Sequence, residues 1–163
     1  MKKESPRINP LPIIAAVVVI AAAAVTLLPK NEKSQNPTSA VSGDIVIESA
    51  EVGTDASYFD YDADGVTVQV FAVQASDGTV RLALNTCQVC NGSPYAYFVQ
   101  DGDWFICQNC KNRFASTDVG IISGGCNPVP ITDQVYTAQD GTITIPAAFL
   151  NSAAALFKNW KKF

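Results

Sequence analysis

Two Cys-x-x-Cys pairs, in a chain that contains no histidine, constrain this sequence more than any other feature. The pairs are separated by 16 residues, a spacing that falls within the range of tetrahedral sites built from four thiolates. The absence of histidine excludes Ser-His-Asp and Cys-His catalysis, histidine-ligated haem, Rieske centres and zinc fingers of the cysteine–histidine type. A transition-metal site must therefore be built mainly from thiolates. The predicted metal ligands are Cys87, Cys90, Cys107 and Cys110.

The sequence between the two pairs explains how they could meet. "YAYFVQ" and "DWFI" are aromatic-rich strand candidates joined at Asp101-Gly102, a favoured two-residue hairpin turn. The chain would run outward, return, and place the second pair beside the first. We therefore predict a ribbon-like hairpin that carries a four-cysteine site.

Three chemistries are compatible with these pairs. A zinc ribbon uses the metal only to hold the fold together, whereas iron, as a single ion or an iron–sulfur cluster, adds redox chemistry. Disulfides or a dithiol redox pair are the third possibility, because thiols outside the cytoplasm tend to oxidise. The odd number of cysteines argues against this third reading, as does the absence of a pair at the start of a helix in a βαβ pattern. The spacing leaves iron and zinc open.

The fifth cysteine, Cys126, lies in the sequence "GGCNP". It is either a structural thiol in a glycine-rich turn or a group that acts at the metal. In the second reading, Gly124 and Gly125 allow the backbone to approach the ion. We treat Cys126 as a candidate cofactor-binding residue, either a ligand or a nearby redox thiol.

An apolar segment near the N-terminus predicts a membrane anchor. Leu11–Leu28 has no charged residue, and a helix of this length would span about 27 Å, close to the ~30 Å hydrocarbon core of a bilayer. Basic residues at Lys2, Lys3 and Arg7 precede it, so the N-terminus is predicted to be cytoplasmic. A cleaved signal peptide is the alternative. The apolar run is longer than is usual for such a peptide, and the sequence after it is a poor cleavage site.

These features predict a layout of four parts. The polar sequence after the anchor has no apolar periodicity and reads as a flexible stalk. We expect residues 1–10 to be a cytoplasmic basic N-terminus, 11–28 a transmembrane anchor, 29–43 the stalk, and 44–163 an extracytoplasmic thiolate metal-binding domain.

The predicted domain is mainly β with a C-terminal helix. The runs "DIVIES", "SYFDY", "VTVQVFAV" and "TVRLAL" alternate with turn signals at Asp64-Gly65 and Asp77-Gly78, which indicates an antiparallel meander that leads into the first cysteine pair. A further strand is expected at Thr142–Ile145. A helix is expected to begin at Pro146, because apolar residues then recur at helical spacing. These residues are Phe149, Ala153, Leu156, Phe157 and Trp160.

Charge and acidic motifs limit the possible partners. Of the 15 acidic residues, 13 lie beyond residue 33 together with only six of the 11 basic ones, which argues against nucleic acid as a partner. The sequence "DYDADG" places Asp60, Asp62 and Asp64 like the opening of an EF-hand calcium loop. Its twelfth position is Phe71 rather than glutamate, and strand patterns flank it, so we favour an acidic β-turn.

A family resemblance adds to this reading. Phe71-Ala72-Val73, "DGTVRLALNTCQVC", "GDWFICQNCKNRF" and "GGCNPVPI" together resemble the FtrD-like family of membrane iron–sulfur proteins, over roughly Asp44–Ile131. Members of that family are associated with bacterial ferrous-iron uptake and membrane transport complexes. The resemblance implies iron or iron–sulfur binding, electron transfer beside a permease or transporter subunit, and functional roles for all five cysteines.

The sequence therefore predicts a single-pass membrane protein, with an extracytoplasmic domain that handles iron or electrons for a transport system. We expect a metalloprotein rather than an enzyme. The alternatives are a zinc-ribbon interaction module of a membrane complex and an extracytoplasmic dithiol oxidoreductase.

Overall fold

The computed structural model describes residues 40–161. The predicted cytoplasmic N-terminus and membrane anchor, and all but the last residues of the predicted stalk, lie outside the described residues. Between residues 40 and 161, no helix has the length and apolar character needed to cross a membrane. The described part is built mainly of antiparallel sheets and ends in a short helix, which confirms the predicted mainly β class.

The central sheet contains four strands in the order β2-β3-β4-β8. Strands β2 (Ser57–Ala63), β3 (Val66–Gln74) and β4 (Val80–Cys87) form the predicted antiparallel meander. The β2–β3 turn has Asp64 at φ 51° and Gly65 at φ 84°, as a two-residue turn with positive φ at both positions requires.

Strand β8 (Pro128–Ile131) completes this sheet and was not predicted from the sequence. It pairs antiparallel with β4 and occupies one edge of the sheet, the position at which a strand tolerates proline. The proline-rich segment after Cys126 therefore returns to the strand that carries Cys87.

A second sheet has the order β1-β10-β9. Its strands are β1 (Ile45–Glu48), β9 (Thr137–Gln139) and β10 (Thr142–Ile145). The prediction that β1 begins the meander was wrong, because β1 pairs with β10 at the other end of the chain. In this pairing the buried side chains Ile45 and Ile47 lie on β1 beside two isoleucines of β10. A 3₁₀ turn then separates β1 from β2.

The C-terminal helix is shorter than predicted. Helix α1 (Ala147–Ala153) follows Pro146 and continues as a 3₁₀ turn, Ala154–Phe157. The buried residues of this C-terminal segment, in the helix and after it, pack in one apolar core with the second sheet and one face of the central sheet. They are Leu150, Ala153, Phe157 and Trp160.

The third sheet, β5-β6-β7, forms a cysteine ribbon on the opposite face of the central sheet. Its strands are β5 (Phe98–Asp101), β6 (Trp104–Cys107) and β7 (Arg113–Ala115). Asp101 pairs with Trp104, so the turn residues are Gly102 and Asp103, one residue later than predicted. Gly102 has φ 57°, which suits glycine at the first central position of such a turn.

Aromatic packing holds the ribbon on the central sheet. Phe105 stacks on Phe71 of β3 with ring centroids 4.5 Å apart, and both side chains are fully buried. Phe98 and Phe114 bury their side chains in the same cluster, together with Cys87. Because β3 has one core on each face, residues 70–73 in its middle form a continuous apolar run.

A buried polar chain also joins the ribbon to the central sheet. Asn85 Nδ2 donates to Gln69 Oε1 at 2.7 Å, and the backbone N–H of Phe98 donates to Asn85 Oδ1 at 2.7 Å. Gln69 in turn donates to Asp60 on β2. Asn85 therefore satisfies groups of both β3 and β5 from a position two residues before Cys87.

Replacing Asn85 with alanine is expected to destabilise the fold by about 2–4 kcal/mol, because it leaves a buried amide oxygen and a buried N–H without partners. Chemical denaturation of the Asn85→Ala protein measures this loss. Gln134→Ala, at an exposed position, serves as a control and should change stability by less than about 0.5 kcal/mol. Equal stabilities for the two variants would contradict this role for Asn85.

Candidate metal centre

The first cysteine pair forms a knuckle at the end of β4. The pairing of β4 with β8 is irregular between Leu84 and Cys87, and the Cys87 N–H donates to the Ala96 carbonyl at 2.8 Å. The backbone N–H groups of Val89 and Cys90 hydrogen-bond to the Cys87 sulfur. The chain thus turns tightly enough to bring the second cysteine of the pair back beside the first.

The second pair repeats this arrangement at the end of β6. The backbone N–H groups of Asn109 and Cys110 hydrogen-bond to the Cys107 sulfur. The Lys111 N–H donates to the Cys107 carbonyl at 2.9 Å, and Lys111 takes a left-handed conformation with φ 62°. Lysine is uncommon in this left-handed region, which glycine adopts most readily. Neither Asn91 nor Gly92, which follow the first pair, takes such a conformation.

Two amide side chains hold the Cys126 loop against both knuckles. Gln88 Oε1 accepts a hydrogen bond from the Gly124 N–H at 3.0 Å, and Gln88 Nε2 donates to the Pro128 carbonyl at 2.9 Å. From the second knuckle, Asn112 Nδ2 donates to the Cys126 carbonyl at 3.1 Å. Neither amide was singled out from the sequence. Their position inside or just after a cysteine pair is the only signal that the sequence offers.

Glycine makes the last turn of this loop possible. Gly124 has φ 94° and Gly125 has φ 66°, conformations that side chains other than glycine rarely adopt. These are the conformations that the second reading of Cys126 requires, in which the two glycines allow the backbone to approach the site.

Four sulfur atoms converge as a result. They belong to Cys87, Cys90, Cys110 and Cys126, and all lie within 4.8 Å of one another. Between residues 40 and 161, this is the one group of candidate ligand side chains whose geometry could hold a metal ion. Three members belong to the ligand set predicted from spacing, and the fourth is the cysteine predicted as a cofactor-binding residue.

Cys107 occupies a different position from the other four. Its side chain is fully buried in the aromatic cluster beneath the site, and its thiol hydrogen-bonds to the Cys110 sulfur. It is not part of the group whose sulfur atoms all lie within 4.8 Å of one another. Cys107 therefore lies next to the group of four and contacts it at Cys110.

The environments of the thiols differ in ways that affect their ionisation. Burial is the largest cause that raises the pKa of Cys107, to about 11, and it also raises the pKa of Cys87. Burial acts in the same direction on Cys110, but hydrogen bonds from the Asn112 N–H and from neighbouring thiols outweigh it and lower the pKa of Cys110. The hydrogen bond with Cys110 raises the pKa of Cys126. Cys110 is thus the thiol whose charged form these contacts favour.

In the metal-free, reduced protein we expect iodoacetamide to modify Cys110 first and Cys87 and Cys107 last. The thiolate is the reactive form, and at neutral pH a lowered pKa increases its fraction while a raised pKa decreases it. Cys110 is also exposed, whereas the other two side chains are buried. Brief labelling followed by peptide mass spectrometry measures the order. Labelling of Cys107 as fast as Cys110 would show that the ribbon does not keep this arrangement without metal.

The donor set fits a thiophilic metal. All five cysteines are free thiols, and the converging group contains no carboxylate or other hard ligand. Thiolates favour zinc, copper(I) and iron, whereas calcium and magnesium require oxygen ligands. The site can therefore bind the metal of an iron–thiolate centre or of a zinc ribbon.

The acidic hairpin is built as a turn. Asp62 Oδ1 accepts a hydrogen bond from the Gly65 N–H at 2.6 Å, and Asp60 accepts one from Gln69. Strands β2 and β3 flank this turn, where an EF-hand would require helices. The local contacts therefore match the acidic β-turn predicted from the sequence.

Comparison with known families identifies the domain. The model of the family described as membrane iron–sulfur containing protein, FtrD-like, matches residues 52–157, well over half of the chain. The chain belongs to the FtrD-like family. The match extends past Ile131, where the resemblance in the sequence ends, and includes β9, β10 and helix α1. No curated protein and no solved structure matches the chain.

Membership in the FtrD-like family agrees with the site at a general level. The family is described as membrane-associated and iron–sulfur containing, and its matched segment includes all five cysteines. The FtrD-like domain of this chain thus combines a thiolate cluster that can bind metal with a family description that names iron and sulfur.

Proposed function

We propose that this chain is a membrane-anchored, extracytoplasmic iron-binding protein that handles electrons or iron for a membrane transport system. The observation that carries the proposal is the convergence of four cysteine sulfur atoms within 4.8 Å in an FtrD-like domain. When bound, iron would supply one-electron redox chemistry at this site. The protein's part is to hold the ligands, to set their hydrogen bonds and to control access.

The exposure of the site supports exchange with a partner. Cys110 is exposed, and Cys90 and Cys126 are half-buried, whereas Cys87 lies in the core. One side of the group is therefore fixed on the central sheet, and the other faces outward. Such an open side shortens the distance between the site and a redox partner, which favours the exchange of electrons or metal between proteins.

The distribution of charge supports the same conclusion. The segments 82–100 and 119–132 contain no charged residue, and 104–117 contains only Lys111 and Arg113. Exposed apolar side chains lie in these segments, at Val89, Tyr95 and Ile121. The acidic residues of the domain lie elsewhere in the sequence. Uncharged, apolar surface of this kind is suited to contact with another protein.

The membrane location is proposed from the N-terminal sequence and the family description. Leu11–Leu28 is long enough to cross a bilayer, and the basic residues before it favour an outward-facing domain. A single anchor would hold the domain close to the membrane surface, within reach of other membrane proteins. We therefore propose a permease or transporter subunit as the partner.

A redox titration of the full chain tests this function. We expect protein purified anaerobically in detergent to show thiolate-to-iron absorption in the visible range that dithionite and a mild oxidant change reversibly. Zinc has a filled d shell and gives neither colour nor redox change, so protein reconstituted with zinc is the matched control. Native protein that behaves like the zinc form would favour the zinc-ribbon interaction module, and metal-free protein with disulfides would favour the dithiol oxidoreductase.

A further inference from the structure

The distances between the sulfur atoms limit how many metal ions the site can hold. A tetrahedral ion with metal–sulfur bonds of about 2.3 Å places its four sulfur ligands about 3.8 Å apart. All pairs among Cys87, Cys90, Cys110 and Cys126 already lie within 4.8 Å. Small movements of the side chains would therefore complete a single-ion site.

An iron–sulfur cluster would need a wider set of ligands. Its irons are bridged by inorganic sulfide, and its cysteines are divided among different irons. Thiolates on different irons lie farther apart than two ligands of one ion, because the bridged core lies between them. Four sulfur atoms that all lie within 4.8 Å of one another are closer together than ligands on either side of such a core would be.

The anchoring of the Cys126 loop explains why the fourth ligand comes from outside the two pairs. Gln88 and Asn112 fix this loop to the first and second knuckles, through the Gly124 N–H and the Cys126 carbonyl. The backbone of Gln88 adds a further contact, since its N–H donates to the Asn127 carbonyl at 2.9 Å. Cys126 is thus held at the site by the same residues that shape both knuckles.

Cys107 would lie beside the ion, because the other four cysteines would complete a tetrahedron. Its thiol contacts Cys110, and its side chain is enclosed by the aromatic residues of the ribbon core. Hydrogen bonds to coordinated sulfur are one of the means by which proteins tune such centres. Cys107 would therefore be a positioning residue, acting on a bound metal through Cys110.

We infer that Cys87, Cys90, Cys110 and Cys126 hold one tetrahedral metal ion rather than an iron–sulfur cluster, with Cys107 outside the ligand set. This inference rests on the metal-binding function proposed above. It departs from the usual meaning of the family description, which names an iron–sulfur protein.

Metal and sulfide analysis of the full chain, purified anaerobically, tests the number of ions. The expected result is one metal ion per chain without acid-labile sulfide, and X-ray absorption showing sulfur neighbours at about 2.3 Å with no second metal nearby. Two or more irons with matching sulfide would overturn the inference and leave the iron function intact. One zinc per chain would support the single-ion geometry and overturn the electron-handling function. Metal-free protein would overturn both.

Two variants test the ligand set. Cys126→Ser should lose the ion, whereas Cys107→Ser should keep one ion per chain and show a shifted reduction potential or visible spectrum. The reverse result, with the ion lost from Cys107→Ser and kept unchanged in Cys126→Ser, would overturn the assignment. Since a buried serine at position 107 could impair folding, Cys107→Ala is measured as well, with circular dichroism of each variant. Loss of the ion from both Cys107 variants in folded protein would likewise overturn it.

Discussion

Replacing Cys87 with serine is expected to abolish metal binding and to destabilise the domain by several kcal/mol. A hydroxyl is a poor substitute for a thiolate at a soft metal, and metal binding in small thiolate domains is coupled to folding. Cys87 also lies in the core, at the point where β4 ends and the first knuckle begins. Metal content and thermal unfolding, measured on the same preparation, give both effects.

The neighbouring residue offers a matched control. Thr86 is fully buried, and its hydroxyl has no hydrogen-bond partner in the structure. Thr86→Val keeps the shape and removes this unsatisfied group, so it should retain the metal and leave stability unchanged or slightly higher. A Cys87→Ser protein that binds as much metal as Thr86→Val would contradict the role of Cys87 as a ligand.

Replacing Phe105 with alanine is expected to cost about 3–5 kcal/mol, the usual range for a large buried aromatic side chain. Phe105 is fully buried and stacks on Phe71, so its removal leaves a cavity between the ribbon and the central sheet. The variant should also bind metal more weakly, because β6 carries Phe105 two residues before Cys107 and leads into the second knuckle.

Trp104 provides the comparison for this prediction. It is the adjacent residue of the same strand, but it is 41% exposed and contacts Arg113 through a cation–π interaction at 4.8 Å. Trp104→Ala should therefore cost only about 1 kcal/mol and leave metal binding unchanged. Denaturation curves that show equal losses for the two variants would contradict the proposed docking of the ribbon.

Local sequence signals predicted the parts of the fold that depend on neighbouring residues. The turns at Asp64-Gly65 and Asp77-Gly78 and the alternation around them led to the strands of the meander. The two cysteine pairs and the hairpin between them likewise gave the ribbon, apart from a shift of one residue in its turn.

Long-range pairings could not be read in the same way. Strand β1 pairs with β10 nearly a hundred residues later, and no local pattern specifies that partner. The segment that forms β8 contains two prolines, which usually argue against a strand, and it is tolerated because β4 leaves an edge position open.

The site shows the same division between local and long-range information. Spacing predicted that both cysteine pairs would meet, but it could not distinguish the positions of Cys107 and Cys126. That difference depends on the burial of Cys107 among aromatic side chains and on the contacts of Gln88 and Asn112 with a distant loop. Such contacts exist only once the three segments have folded together.

Simultaneous iron and zinc analysis of the full chain, isolated with its membrane fraction from cells supplied with both metals, tests the central claim most directly. The account predicts iron bound in preference to zinc, and its loss when Cys87 is replaced with serine. Stoichiometric zinc without iron in the wild-type protein would contradict it.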